Sequence, residues 1–115
     1  MDHKNLDVWK KSIDLVTEVY KITNTFPKNE MYGITSQVRR SAVSVPSNIS
    51  EGAGRDSTKE YVRFLNISIG SLSELETQMI IAQRLKYIKD STIFDEIIKV
   101  RKLLIGLKKY LVTKI

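Results

Sequence analysis

The stretch from Gln37 to Arg55, QVRRSAVSVPSNISEGAGR, constrains the fold more than any other part of the chain. Val38, Ala42, Val45 and Ile49 recur at helical steps of four and three. Gln37, Ser41, Ser44, Asn48 and Glu51 repeat the same spacing, so they form a polar line beside the apolar one. A half-polar seam of small residues belongs against another helix or another subunit. It does not specify a reaction. Gly52-Ala53-Gly54 is a strong stop signal at its end. Pro46 lies inside the pattern, where it removes the hydrogen bond to the Ala42 carbonyl. Either the helix kinks there or it stops near Val45. The unbroken register through Ile49 favours the kink, with Ser41 and Ser44 available to the freed carbonyl.

Three further segments have helical period. From Leu6 to Thr25, Trp9, Ile13, Val16 and Tyr20 form one apolar line and Val8, Leu15, Val19 and Ile22 another. Phe26-Pro27 ends this helix, because the residue before proline is pushed out of helical geometry. Ser57-Thr58-Lys59-Glu60 is a capping box that opens the third helix. Its line runs Tyr61, Leu65, Ser68, Leu72, Leu75, Met79, Ala82 and ends near Leu85 or Tyr87. Gly70 in its middle predicts close approach of a neighbouring backbone, and a Leu there would disrupt packing against the second helix. Asp90-Ser91-Thr92 caps the fourth helix, which carries Ile93, Ile97, Val100, Leu104, Leu107 and Leu111. Phe94, Ile98, Ile105 and Val112 widen that face enough for a second neighbour. Short connections between long helices predict an all-α, antiparallel up-down-up-down four-helix bundle, one domain over residues 1–115.

Composition excludes several chemistries. There is no cysteine and a single histidine, His3, so thiolate catalysis, zinc-thiolate sites, di-iron bundles and histidine-dependent helical RNases all lack their residues. No phosphate-binding glycine motif appears. We expect no catalytic residues, no metal and no cofactor. The N-terminus has no signal-type apolar run and no stretch is long enough to span a membrane, so the expected location is cytoplasmic. Glu74 or Glu76 is expected to pair with Arg39 or Arg40 across the second and third helices.

The net charge of +6 is uneven. Residues 1–25 and 56–90 are neutral, residues 26–55 carry four basic against two acidic side chains, and residues 91–115 carry six against two. Lys99, Arg101, Lys102, Lys108 and Lys109 are therefore the first candidates for contacting phosphate, with Arg39, Arg40 and Arg55 second. A solvated, purely solubilising face explains the same lysines equally well at this level.

Specific runs narrow the reading. Leu6-x-Val8-Trp9, Phe26-Pro27-x-x-Glu30, Gly33-Ile34-Thr35-Ser36-Gln37-Val38-Arg39-Arg40, Ser44-Val45-Pro46-Ser47-Asn48-Ile49 with Glu51-Gly52-Ala53-Gly54-Arg55, and Ile69-Gly70-Ser71-Leu72-Ser73-Glu74-Leu75-Glu76-Thr77-Gln78 resemble the proteins encoded within intervening sequences of bacterial 23S rRNA genes. The likeness covers almost the whole chain. Ser41 and Ser50 stand where that family more often has alanine. The chain is also similar to the accessory variability protein of diversity-generating retroelements, a basic pentameric bundle that partners a reverse transcriptase and binds nucleic acid. The resemblance implies a ring-shaped homopentamer without catalytic residues. On it, Gln37, Arg40, Ser44, Pro46, Asn48, Glu51, Gly52, Gly70, Glu74 and Glu76 are fold and assembly residues. The expected function is a non-enzymatic, oligomeric RNA- or DNA-binding bundle. The alternative is a protein-interaction scaffold that does not touch nucleic acid.

Overall fold

The computed structural model describes residues 2–115. Among them there are four α-helices and no strand: α1 (Asp7–Thr23), α2 (Ile34–Ala53), α3 (Thr58–Arg84) and α4 (Thr92–Val112). Short 3-10 turns, His3–Asn5 and Lys28–Glu30, precede α1 and α2. The molecule measures 45 × 24 × 20 Å.

Each helix buries one line of side chains. On α1 that line is Val8, Ser12, Leu15, Val19 and Thr23. Of the two lines on this helix, the inner one is thus the Leu15–Val19 line; Ile13 and Tyr20 are exposed and Trp9 and Val16 half-buried. The buried hydroxyls satisfy themselves locally, Ser12 donating to the Trp9 carbonyl at 2.7 Å and Thr23 to that of Val19 at 2.8 Å. On α3 and α4 the buried lines are the ones read from the spacing, with Leu107 half-buried.

Helix α2 runs unbroken through Pro46, which is buried. Neither serine turns to the freed carbonyl. Ser41 goes to α3, and Ser44 Oγ shares a 2.9 Å hydrogen bond with Ser71 Oγ. Instead, α3 reaches into this turn: buried Ser68 donates to the Val45 carbonyl at 2.8 Å. Along the α2–α3 seam Ser41 meets Gln78, Ser44 meets Ser71, Val45 meets Ser68 and Gly52 faces Tyr61. Rising numbers on one helix match falling numbers on the other, so these two run in opposite directions.

The close-approach glycine is Gly52, not Gly70. A Cβ on Gly52 would stand 2.9 Å from Phe64 Cβ and 3.2 Å from the Tyr61 carbonyl oxygen. A Cβ on Gly70 meets nothing within 4 Å, and the residue is exposed. The small residues that α3 offers to α2 are Ser68 and Ser71.

Turn chemistry sets the ends. Ser57 Oγ accepts from the Glu60 amide at 3.2 Å, the cap expected for α3. That helix stops in a Schellman arrangement: the Tyr87 amide donates to the Ala82 carbonyl and the Lys86 amide to that of Gln83. Lys86 takes the left-handed position, φ 64°. At α4, Asp90 Oδ1 accepts from the Thr92 amide at 2.9 Å and from its hydroxyl. These bonds hold the Asp90 carboxyl below its usual range. The α1–α2 and α3–α4 connections touch, through the Phe26 and Tyr87 rings at 5.4 Å and the Tyr87 hydroxyl on Glu30 Oε2 at 2.8 Å. The carboxylate acceptor and partial burial raise the Tyr87 phenol pKa.

Candidate nucleic-acid interface

The cations of α4 divide into committed and free. Arg101 reaches sideways to α3 and grips Glu76 with both terminal nitrogens, at 3.0 and 3.3 Å. Both side chains are largely covered, 24% and 33% exposed, so this guanidinium is held where it is. Glu76 therefore ties α3 to α4, and the pairing expected with Arg39 or Arg40 does not form. Lys99 makes an exposed pair with Glu96 at 3.3 Å, one turn away on the same helix. Such a pair is worth little and opens readily. Lys102 and Lys109 project into solvent and Lys108 is half-buried. None of these three pairs with a carboxylate among the described residues. Lys114 lies over the Tyr110 ring at 5.0 Å.

The α2 candidates divide the same way. Arg55 is paired with Glu51 at 2.7 Å and lies over the Phe64 ring at 4.8 Å. Arg39 is fixed by neutral groups of α1 and its end: Nε donates to Thr23 Oγ1 at 2.9 Å, Nη2 to Asn24 Oδ1 at 3.0 Å, and the guanidinium covers the Tyr20 ring at 4.5 Å. It makes no ion pair among the described residues. Arg40 is exposed and makes no ion pair among the described residues.

Residues of the polar line pack against α3 rather than forming a site. Ser41 Oγ lies 2.6 Å from Glu74 Oε1 and 2.9 Å from Gln78 Oε1, with one proton to share between them. Asn48 Nδ2 donates to the Ser44 carbonyl at 2.8 Å and approaches its hydroxyl at 2.9 Å. Gln37 and Glu51 stand exposed at the outer edge. Ser71 and Gln78 complete this ladder and enter the sequence reading only within the Ile69–Gln78 run. Their three-four spacing with Glu74 was the available signal.

Two surface grooves flank α1, and they differ in charge. The larger, about 890 Å³ between α1 and the start of α4, is lined by Asp14, Glu18, Asp90 and Glu96 together with Lys21 and Lys89. The smaller, about 510 Å³ between α1 and α2, is lined by Tyr20, Met31, Ser36, Arg39, Arg40, Val43 and Ser44, with no acid. Among the described residues no three His, Asp or Glu side chains gather closely enough to hold a metal ion. No helix among them is long and apolar enough to cross a membrane.

The model of one family, 23S rRNA-intervening sequence protein, matches residues 4–106. The chain belongs to this family. No curated protein matches it. A crystal structure of a protein of unknown function from the S23 ribosomal protein family of Bacteroides thetaiotaomicron superposes with a TM-score of 0.83. It is 23% identical, over 95% of this chain and 99% of that one. At that identity the similarity establishes the four-helix fold that this family member shares. Of the runs that gave the first resemblance, Ser44–Ile49 lies on α2 and Ile69–Gln78 on α3, and both contribute residues to the seam described above.

Proposed function

We propose that this family member is a non-enzymatic, oligomeric bundle that binds RNA or DNA through phosphate. The observation that carries the reading is the unequal use of charge on α4. Glu76 consumes Arg101, while Lys102, Lys108 and Lys109 pair with no carboxylate among the described residues. Repeated around an oligomer, such a strip multiplies phosphate contacts, and each contact releases counterions. The family's name, which places its members in rRNA intervening sequences, favours RNA as the first target to test.

Filter binding of structured RNA across a salt series tests this reading. The triple variant Lys99→Glu, Lys102→Glu, Lys109→Glu should weaken binding and flatten the plot of log affinity against log salt by about 0.9 for each lost duplex phosphate contact. Absence of low-salt affinity in the wild-type protein, or an unchanged slope in the variant, defeats the reading.

A scaffold is the second reading, and a particular surface favours it. Ile98, Ile105 and Val112 lie seven residues apart on α4 and are 43%, 38% and 49% exposed. Arg101 shares their line and points to Glu76 on α3, and Ile80, one turn beyond Glu76, is 41% exposed. A strip of half-exposed β-branched side chains suits a protein contact. It equally supplies the self-association that the first reading needs. Light scattering on nuclease-treated material separates the cases: an oligomer that persists without nucleic acid and binds none supports the scaffold.

A further inference from the structure

We propose that the groove between α1 and α2 is a subsite for single-stranded nucleic acid, binding one phosphate with Arg39 and Arg40 and one base on the apolar surface of Met31, Val43 and Tyr20. The inference rests on the nucleic-acid reading but concerns a different surface and a different mode of contact from the α4 lysines.

Charge complementarity is the main argument. Arg39 and Arg40 both line the groove and no acidic residue does. Glu30, which accepts from the Tyr87 hydroxyl at 2.8 Å, and Glu74, which accepts from Ser41 at 2.6 Å, are not among the lining residues. Arg39 is held by a hydroxyl, an amide oxygen and an aromatic ring, none of which neutralises it. Its Nη1 makes no hydrogen bond among the described residues, so a donor remains on a guanidinium whose position is already fixed. A planar cation that is oriented before binding loses less entropy when an anion arrives. Arg40, free and exposed, is placed to close on the same phosphate.

The remaining lining favours a nucleotide over a bare anion. Met31 and Val43 are 46% and 40% exposed, and the Tyr20 ring, 41% exposed, lies beneath the Arg39 guanidinium. Bases stack on aromatic rings and on guanidinium planes alike. The groove volume of about 510 Å³ falls within the ordinary range for small-molecule sites. A duplex buries its bases in the stack and presents no base to such a groove, so the occupant is single-stranded. The larger groove on the other flank of α1, with its four carboxylates, has the wrong sign for phosphate.

Fluorescence anisotropy on the full chain tests the assignment, with a short labelled oligouridine, an abasic strand of equal length, and a poly-glutamate peptide as probes. Arg40→Gln should lower oligouridine affinity about tenfold, the loss of one charge-assisted contact. Met31→Ala, which removes part of the apolar surface under the base, should lower it about fivefold while leaving the abasic strand unaffected. Both side chains are exposed, so both variants should melt as the wild type does. The proposal is overturned if wild-type protein binds oligouridine and the abasic strand equally. It is also overturned if poly-glutamate binds with the same Arg40 dependence, which would assign the groove to acidic peptides. A third contrary result is unchanged affinity in Arg40→Gln with a shift in particle mass, which would make the groove a contact between copies. Structured RNA run against the α4 triple variant keeps the two readings apart. Loss there with oligouridine unaffected by Arg40→Gln sinks the subsite alone, and the converse sinks the α4 interface alone.

Discussion

Two buried positions near the α2–α3 turn have opposite consequences for stability. Gly52 has no room for a methyl group, because Phe64 Cβ and the Tyr61 carbonyl lie 2.9 and 3.2 Å from where one would sit. Gly52→Ala must push α2 away from α3, and urea denaturation should show a loss of about 1–3 kcal/mol. Tyr61 is the reverse case. Its hydroxyl is buried with no hydrogen-bond partner among the described residues, and burial pushes its phenol pKa up. Tyr61→Phe removes an unsatisfied polar atom and keeps the ring, so it should stabilise by about 1 kcal/mol. A loss of stability would show that the hydroxyl has a partner. Only part of this was readable in advance. Gly52 and Gly70 both stand in helical patterns, and spacing cannot say which faces a neighbour. Gly52 lies on the Val38–Ile49 line extended by one step, whereas Gly70 lies opposite the Leu65–Leu72 line. The contact belongs to the glycine on the buried line.

At the scale of elements, caps were readable because their chemistry is local. Ser57 and Glu60 were identified from their spacing alone. The end of α3 near Leu85 was also read, but not the left-handed turn at Lys86 that follows it, since a lysine in that position carries no sequence signal. Lys86→Gly relieves that conformation and should raise stability by roughly 1 kcal/mol, read as an upward shift in Tm. Asp90 gives α4 a pH-dependent start. Its carboxyl is held low by the Thr92 hydroxyl and amide, so the folded state favours the charged form. That contribution is complete above the ordinary Asp range and disappears as pH falls through the lowered value. Thermal melts of Asp90→Ala should therefore lie below the wild type at neutral pH and converge with it in strong acid. A gap that persists there would mean the cap acts without its charge. The pairing of α3 with α4 through Glu76 and Arg101 escaped the sequence reading because helix spacing fixes a face but not a partner. The sequence pointed to Arg39 or Arg40 as the mate of Glu74 or Glu76, and the relative rotation of the helices gives Glu76 to Arg101 instead.

For the whole molecule, the four-helix class followed from periodicity, and which residues touch across helices did not. The wide face of α4 illustrates the limit. Its inner half, Ile93 to Leu111, fills the core, while its outer half, Ile98, Ile105 and Val112, stays half-exposed beside α3. A second copy of the chain covering that strip would bury it. Ile98→Lys with Ile105→Lys should then reduce the light-scattering mass to the 13.2 kDa of one chain without lowering helix content. An unchanged oligomer would move the interface to another face.

The hydroxyl and carboxyl ladder between α2 and α3 has a consequence for how the hairpin finds its alignment. Sliding one helix by a turn would still match apolar layers, since both repeat at the same interval. It would break the pairs that Ser41 makes with Glu74 and Gln78 and that Ser44 makes with Ser71, and take Ser68 away from the turn at Pro46. The side-chain and backbone hydrogen bonds thereby distinguish the native alignment from its neighbours, which the apolar layers alone do not. Greasing the seam with alanines would leave a hairpin that still folds but no longer knows where to stop.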